Sequence, residues 1–441
     1  MRAIAVGLCL ALGACAGASA LPATDQEIRT SHPSVAPDSL DSIAEGYVML
    51  ILRIGQIEEG YVDAYYGDPR YAQLAESEPR TAERLLEEAR YLIARIDGLE
   101  ANYPVALSAE EVQRRAYLRA HASAAEARLR MILGEKMSFA DEAEALFGVR
   151  PELRPLESYE PILARIDALI PGDGDLTDRV NAFKAHFVIP PDRLQPVFDA
   201  AIAECRRRTV EHIALPANES FTMAFVHDKP WSGYNYYQGN AASRIEINQD
   251  LPIYSERAID LGCHEGYPGH HVYNALLEQT FVREKGWIEM SVYPLFSPMS
   301  LIAEGSANYG IDLAFPGDEG PAFERSTLFP LAGLNPADVE TKAELGRLTR
   351  QLASAEYTIA DDFLSGRLDR EQTVRRLMHY MLSSRERAEQ RVRFIETYRS
   401  YIINYGLGRD MVQSWVERQG PDHWASMQQL LASQILPVDL E

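Results

Sequence analysis

The segment Cys263-His264-Glu265-Gly266-Tyr267-Pro268-Gly269-His270-His271 contains three of the ten histidines of this 441-residue chain. In the HExxH zinc motif, two histidines one helical turn apart face the same metal, and the glutamate beside the first acts as a base. Here Pro268 stands four positions after His264, so the strict motif is absent. Because proline removes a helical hydrogen bond and glycine relaxes the backbone, we predict a local bulge that returns His270 to the face of His264.

A catalytic zinc site also requires a third protein ligand and an open position for water. Glu304 is the best candidate, because it lies downstream in a segment, residues 303–309, that reads as a second helix. Asn308, one helical turn later, could orient a ligand through a hydrogen bond. His271 remains the alternative to His270 as a ligand, and the displaced histidine could hydrogen-bond nearby or face the substrate.

The pattern HExxPGHH followed by EGxAxY resembles the bacterial family called domain of unknown function 885, over roughly residues 231–357. Members of that family look like metallopeptidases of the gluzincin group. The resemblance implies one zinc ion per chain, held by His264, His270 and Glu304, with Glu265 as the general base. It also implies a peptide substrate, whose leaving amine would receive the proton that Glu265 takes from water.

A second donor besides the metal is expected to stabilise the tetrahedral intermediate, because removing one such donor costs about 10²–10³ in rate in other enzymes. The family pattern places a tyrosine at Tyr357, which makes it the first choice. Arg399 is the second choice and could instead bind a peptide carboxylate bidentately. Ordinary helix packing and a solvent-facing ion pair are the alternatives for these two residues.

This chain departs from the family pattern at Ser306, where many members have tryptophan, and around Tyr357, where a preceding Gln and a following Gly are missing. Just upstream of the histidines, Arg244 lies in a predicted strand, residues 244–248. We expect that strand to offer an exposed edge for substrate, with Arg244 in contact with it. Four nearby aromatic residues could wall the cleft, although packing of the sheet on helices is the simpler interpretation for most of them: Trp231, Tyr234, Tyr236 and Tyr237.

Hydrophobic periodicity predicts a mainly α-helical protein with a small antiparallel β-sheet next to the zinc-binding helix. The predicted helices cover residues 42–65, 81–96, 108–133, 157–169, 191–208, 337–364 and 385–405, and the strands cover residues 220–226, 234–238 and 244–248. We predict an N-terminal helical half, residues 41–210, and a catalytic half, residues 211–441. The junction has no flexible linker, so we expect deep contact between the halves.

Residues 1–20 are typical of a signal peptide, because Arg2 precedes an apolar run too short to span a bilayer, which needs about 20 residues. Ala18-Ser19-Ala20 is one cleavage site, and Leu12-Gly13-Ala14-Cys15 resembles a lipobox in which Cys15 would be lipidated. We favour the lipobox, with residues 21–40 as a tether. The expected location is the periplasmic side of the outer membrane, or the soluble periplasm.

The chain has 65 acidic and 43 basic residues, for a formal charge of −22, which argues against nucleic-acid binding. Contact with a membrane is expected only through the lipid on Cys15, and no protein partner can be inferred. After the signal, only Cys205 and Cys263 remain. Export would permit a disulfide, but we favour two buried free thiols, since Cys263 directly precedes the metal site.

Two other functions remain open. The same zinc could serve an amidase acting on a cell-envelope substrate, or the chain could be a non-catalytic lipoprotein that binds peptide or metal. Glu265 argues against the second, because a structural metal site does not require a base. A serine hydrolase is disfavoured because the chain lacks a G-x-S-x-G elbow.

Overall fold

The computed structural model describes residues 39–102, 107–229 and 231–441. The predicted signal peptide, Cys15 and nearly all of the predicted tether lie outside the described residues. Within the described ranges, no helix is both long enough and apolar enough to cross a membrane. Residues Asp38–Glu441 form one compact unit.

The fold is mainly α-helical, as predicted. The α-helices of the described residues are α1 (Leu40–Ile57), α2 (Pro69–Ser77), α3 (Ala82–Asn102), α4 (Ala109–Ile132), α5 (Phe139–Phe147), α6 (Glu160–Leu169), α7 (Leu176–Ala185), α8 (Leu194–Val210), α9 (Glu256–Leu261), α10 (His270–Leu277), α11 (Pro298–Ala314), α12 (Glu319–Phe323), α13 (Phe329–Ala332), α14 (Val339–Arg350), α15 (Ala355–Leu364), α16 (Arg370–Met381), α17 (Arg385–Tyr398), α18 (Ile403–Gln419) and α19 (His423–Leu431). The strands are β1 (Val62–Tyr65), β2 (Ser220–Val226), β3 (Gly233–Tyr237), β4 (Ala242–Asn248) and β5 (Val292–Pro294).

The strands form two sheets. β1 and β5 pair antiparallel, and a separate three-stranded sheet has the order β2-β4-β3. In that sheet β2 runs parallel to β4, whereas β3 runs antiparallel to it. β4 is therefore the central strand, and the exposed edge that we expected along it is absent, because neighbours on both sides use its backbone groups. β2 and β3 are the edge strands instead.

Three predicted helices are shorter than the periodicity indicates. The first ends at Ile57, because Gly60 turns the chain at φ 78° and Val62–Tyr65 then pairs with β5. Residues 337–364 form two helices, α14 and α15, and residues 385–405 divide at Arg399, whose φ is 52°. In each case the chain turns within a segment whose residues all suit a helix.

Buried ion pairs join residues 41–210 to residues 211–441. Arg114 on α4 donates hydrogen bonds of 2.6 and 3.0 Å to the fully buried carboxylate of Glu289. Glu142 on α5 is also fully buried and accepts a hydrogen bond of 2.7 Å from Nε of Arg399. Removing one partner of such a pair would leave an uncompensated buried charge, so these contacts hold the two parts of the chain together.

Helices α11 and α18 approach each other very closely at two glycines. A Cβ atom on Gly305 would lie 2.5 Å from the backbone of Gly408, so a side chain at this point would force the helices apart. The close approach brings Glu304 and Asn308 of α11 against the start of α18 and the turn before it. This packing positions one side of the candidate site.

Cys205 on α8 and Cys263 form a disulfide, with Sγ atoms 2.14 Å apart and Cα atoms 5.4 Å apart. The expectation of two free thiols was therefore wrong. The physical reason is that α8 packs directly on the segment before the histidines, where a Cβ on Gly262 would lie 3.2 Å from Ile202. Whether two cysteines can form a disulfide depends on the distance between their Cα atoms, and the number of residues between them in the sequence does not give that distance.

Candidate metal centre

The chain breaks between the two histidines more sharply than a bulge would. His264 and Glu265 lie in a π-helical turn, Gly262–Gly266, that continues α9. Tyr267 is extended, the Tyr267–Pro268 peptide bond is cis, and α10 begins at His270. A Cβ on Gly269 would lie 1.8 Å from the carbonyl oxygen of His264, so only glycine allows the backbone to fold back this tightly.

The fold brings the three predicted ligands together. Nε2 of His264 lies 3.2 Å from Oε2 of Glu304, and Nε2 of His270 lies 3.7 Å from the same oxygen. The two Nε2 atoms are 3.1 Å apart. All three ligand atoms fall within 4.8 Å of one another, which is the spacing of donors around one ion.

The residues present fit a zinc ion. Oε2 of Glu304 is buried and accepts no hydrogen bond, although Tyr401 donates one of 2.7 Å to Oε1. A buried carboxylate oxygen without a donor is costly unless a cation compensates it. Two imidazole nitrogens and one carboxylate, with space for water, are a catalytic zinc donor set. We call these three residues, His264, His270 and Glu304, the metal centre.

Asn308 sets the orientation of one imidazole. Its Nδ2 donates to the carbonyl oxygen of Tyr405 at 3.0 Å, so its Oδ1 faces Nδ1 of His264, also at 3.0 Å. Because an amide oxygen only accepts, Nδ1 of His264 carries the proton and Nε2 presents its lone pair to the metal centre. The orienting role predicted for Asn308 thus has a defined contact.

Electrostatics at the metal centre favour positive charge. Burial raises the pKa of Glu304, but the contacts with His264 and His270 outweigh burial and lower this pKa well below its usual range. Burial lowers the pKa of His270, while the contact with Glu304 and the charges of Glu304 and Glu265 raise it to about 9. The carboxylate side of the centre therefore stabilises a cation, whether a proton or a metal ion.

Glu265 is only 4% exposed and lies beside the edge strand β3. A Cβ on Gly233 would lie 2.9 Å from Oε1 of Glu265, so the strand touches this carboxylate at a residue without a side chain. Nδ2 of Asn235 donates a 2.7 Å hydrogen bond to the backbone oxygen of Glu265. Burial raises the pKa of Glu265. Asn235 thus holds the backbone that carries Glu265, and because burial disfavours the charged form of the carboxylate, this group is suited to accept a proton.

A cavity of about 1150 Å³ contains the metal centre and Glu265. Residues of β3 and several tyrosines form part of the cavity wall. Helices α11 and α18 also line the cavity, through Glu304 and Tyr405 respectively. This volume exceeds the roughly 300–1,000 Å³ of ordinary small-molecule sites and would accommodate a short peptide.

The residues predicted to contact substrate are not gathered at the metal centre. Tyr357 lines the cavity, but its hydroxyl accepts a 3.0 Å hydrogen bond from the backbone of Leu407. Arg399 pairs with the buried Glu142 and does not line the cavity, and Arg244 pairs with Glu246 outside it. Arg399 therefore forms an ion pair, which was the alternative interpretation of this residue. Its partner is a buried carboxylate rather than one at the surface.

His271 also lies away from the metal centre. Its Nδ1 lies 2.8 Å from the hydroxyl of Ser243, and its Nε2 lies 3.2 Å from a carboxylate oxygen of Glu219. These contacts link α10 to the three-stranded sheet. Of the two histidines left open by the sequence, His270 is the one beside Glu304 and His264.

The sequence reasoning missed a set of tyrosines around the metal centre. Tyr401 donates to Glu304, and the ring of Tyr405 stacks near the ring of His264, with centroids 6.4 Å apart. A signal was present, because Tyr398, Tyr401 and Tyr405 recur at i, i+3 and i+7, the spacing of one helical face. That spacing, rather than Arg399 between them, marks the side of the chain that faces the cavity.

Replacing Asn308 by Ala is expected to weaken zinc binding by about 10–100-fold, because His264 loses the partner that fixes its tautomer and ring orientation. Competition of the purified protein with a zinc-chelating dye measures this change. Asn404→Ala is the control, since Asn404 is a fully buried amide on α18 that does not line the cavity. Equal loss in both variants would show that Asn308 acts only through stability.

Comparisons with known proteins show a similarity of fold and no similarity to a described family. No protein-family model matches the chain, and no curated protein matches it. The crystal structure of a candidate lipoprotein from Colwellia psychrerythraea is 14% identical, with a TM-score of 0.50, and covers 84% of this chain and 70% of that chain. A candidate lipoprotein of unknown function from Shewanella oneidensis is 13% identical, with a TM-score of 0.46, and covers 84% and 75%. The chain therefore shares the overall fold of the Colwellia protein.

Proposed function

We propose that the chain is a zinc-dependent metallopeptidase in which Glu265 is the general base. The observation that carries this proposal is the convergence of His264, His270 and Glu304 on a buried carboxylate oxygen that has no donor. Glu265 supports a catalytic rather than a structural site, because it lies beside the converging residues without being one of them, and a purely structural metal site does not require a base. The proposal includes one zinc ion per chain and a peptide substrate.

Each residue has a defined part in this chemistry. A zinc ion held by the metal centre would lower the pKa of water toward ~7 and polarise the scissile carbonyl. Glu265 accepts the proton of the attacking water and donates it to the leaving amine. Tyr401 and Asn308 hold Glu304 and His264 in position. Tyr405 lines the cavity, and its ring centroid is 6.4 Å from that of His264, so we propose it in place of Tyr357 as the hydrogen-bond donor to the reacting carbonyl.

The free edge of β3 suits a peptide backbone. At the two ends of β3, the backbone N–H of Asn248 donates to the carbonyl oxygen of Ser232, and the backbone N–H of Gln238 donates to that of Ala242, both at 2.9 Å. The even-numbered positions are therefore the ones whose backbone groups bond to β4. Since antiparallel pairs alternate, the backbone groups of Gly233 and Asn235 face away from β4. Both residues line the cavity beside Glu265. We assign the edge of β3 to substrate backbone binding.

A non-catalytic lipoprotein that binds peptide or metal is the second candidate. The description of the Colwellia protein as a candidate lipoprotein favours it, and so does the lipobox-like sequence that ends at Cys15. An exported lipoprotein on the periplasmic side of the outer membrane is compatible with either function. The amidase alternative keeps the same metal centre and changes only the substrate.

Metal removal separates these candidates. Protein stripped with a chelator should bind one zinc ion per chain by calorimetry, and cleavage of a mixed peptide library, followed by mass spectrometry, should be lost on stripping and return with zinc. Zinc binding without cleavage of peptides or envelope amides would support the non-catalytic lipoprotein. Cleavage of envelope amides alone would support the amidase, and no zinc binding would contradict the metal centre itself.

A further inference from the structure

Asp63 on β1 lines the cavity without a cationic partner among the described residues. Its hydrogen-bond donor is the hydroxyl of Tyr234, which leaves the negative charge uncompensated. The arginines of the cavity are engaged elsewhere: Arg128 with Glu58, Arg257 with Asp260, Arg350 and Arg409 with Asp312, Arg391 with Glu356, and Arg387 with the carbonyl of Pro252. Burying a carboxylate without an opposite charge costs free energy, and a cation that binds from outside the chain would offset that cost.

Asp63 lines the same cavity as the metal centre but does not belong to it. It is not among the residues whose ligand atoms converge within 4.8 Å. Burial raises the pKa of Asp63, the Tyr234 contact and the charge of His270 lower it, and the charges of Glu304 and Glu265 raise it, so that the pKa lies at about 6. Because Asp63 and the metal centre line one cavity, a molecule that reacts at the metal centre could place one end against Asp63.

The surroundings of Asp63 suit an ammonium group. Tyr234, Tyr293, Tyr398 and Tyr401 line the same cavity, and aromatic faces attract cations while excluding water. The charges agree with this assignment. A divalent ion with the carboxylates of Glu304, Glu265 and Asp63 leaves one negative charge, which a single ammonium would neutralise. A second metal ion fits less well, because among the described residues Asp63 belongs to no group of three His, Cys, Asp or Glu side chains whose ligand atoms converge.

We propose that Asp63 binds the protonated α-amino group of the substrate, so that the chain removes residues from the N-terminus of short peptides. The proposal rests on the proposed peptidase function and specifies its substrate class. A charge-assisted contact between carboxylate and ammonium would fix the first residue of the peptide. The edge of β3 would then align the backbone that follows, with Glu265 beside the bond to be cleaved.

Binding of matched peptides tests this proposal apart from turnover. The full-length zinc-loaded chain carrying Glu265→Gln is titrated by calorimetry with a tetra-alanine peptide and with its N-acetylated form. We expect the free amine to bind at least about 10-fold more tightly, which corresponds to about 1.4 kcal/mol. A third peptide, N-acetylated with lysine first, distinguishes the α-amino group from a side-chain ammonium and should bind like the acetylated peptide.

Two further variants identify the residue responsible. Adding Asp63→Asn should reduce the preference for the free amine to less than about 3-fold, because the charge is lost and the shape is kept. Adding Tyr234→Phe should retain the preference, since the carboxylate remains. Melting curves establish that each variant is folded. If Asp63→Asn does not fold, the comparison of free and acetylated peptides on the chain that retains Asp63 still tests the proposal.

Several results would overturn the inference. These are equal affinity for the free and acetylated peptides, a preference that survives Asp63→Asn, or no binding of either peptide. The peptidase function fails separately, when peptides bind but the zinc-loaded chain with Glu265 intact does not cleave them. Preference for the acetylated lysine peptide would assign the site to a lysine side chain and overturn the N-terminal assignment.

Discussion

Replacing Glu265 by Gln is expected to lower kcat for peptide hydrolysis by about 10²–10⁴-fold, the range contributed by a positioned general base. The amide keeps the size of the side chain beside Gly233 but cannot accept the proton of water. Zinc content should remain at one ion per chain, because Glu265 is not one of the converging ligand residues. Steady-state cleavage of a quenched fluorescent peptide, with zinc measured by atomic absorption, gives both values.

Glu152→Gln is the matched control for Glu265→Gln, since Glu152 is an exposed carboxylate outside the cavity and its loss should leave kcat unchanged. A Glu265→Gln variant that retains full activity would remove the proposed base. A variant that loses zinc as well would show that Glu265 supports the metal rather than the proton transfer, and the mechanism would need another acceptor.

Glu304→Gln is expected to weaken zinc binding by more than about 100-fold. The loss of a direct ligand should exceed the 10–100-fold cost of losing a hydrogen-bond partner of a ligand. The amide removes the charge that faces both His264 and His270, and Tyr401 would then donate to a neutral oxygen. Calorimetric titration of zinc into stripped protein measures the affinity, and peptide cleavage should fall in parallel.

Glu278→Gln is a close control for Glu304→Gln. Both carboxylates are buried, at 4% and 6% exposure, and both accept a hydrogen bond from a tyrosine, which is Tyr237 for Glu278. Glu278 does not line the cavity, so its substitution should lower the melting temperature without changing zinc affinity. Similar zinc loss in the two variants would indicate a general effect of buried charge and would argue against the metal centre.

The proposed metal ligands could be identified from sequence because they lie in short segments. The cluster around His264 and the downstream Glu304 are recognisable by residue type, and the structure places them together. β2, β3 and β4 were also predicted, since alternation over five to seven residues is a local property, whereas β1 and β5 were not. The break before His270 was predicted as a bulge, because proline and glycine indicate that a helix is interrupted but not how far the chain turns.

Other parts of the site depend on contacts between distant segments. Asp63 lies in a stretch whose composition also suits a helix, and pairing with β5 made it a strand that faces the cavity. Arg399 was predicted to bind substrate, yet a buried carboxylate on α5 engages it. Arg244 was placed at an exposed edge, but β2 occupies the far side of β4.

The sequence by itself determined the helical class and indicated the residues proposed to hold zinc, with Glu265 beside them, because residue type and periodicity are local properties. The tertiary structure decided which of two histidines faces Glu304, that Cys205 bonds Cys263, and that β3 rather than β4 is the edge strand beside the cavity. The physical reason is distance. Ligation, disulfide bonding and strand pairing each require atoms to meet within a few ångström, and packing at contacts such as Gly305 against Gly408 sets those separations.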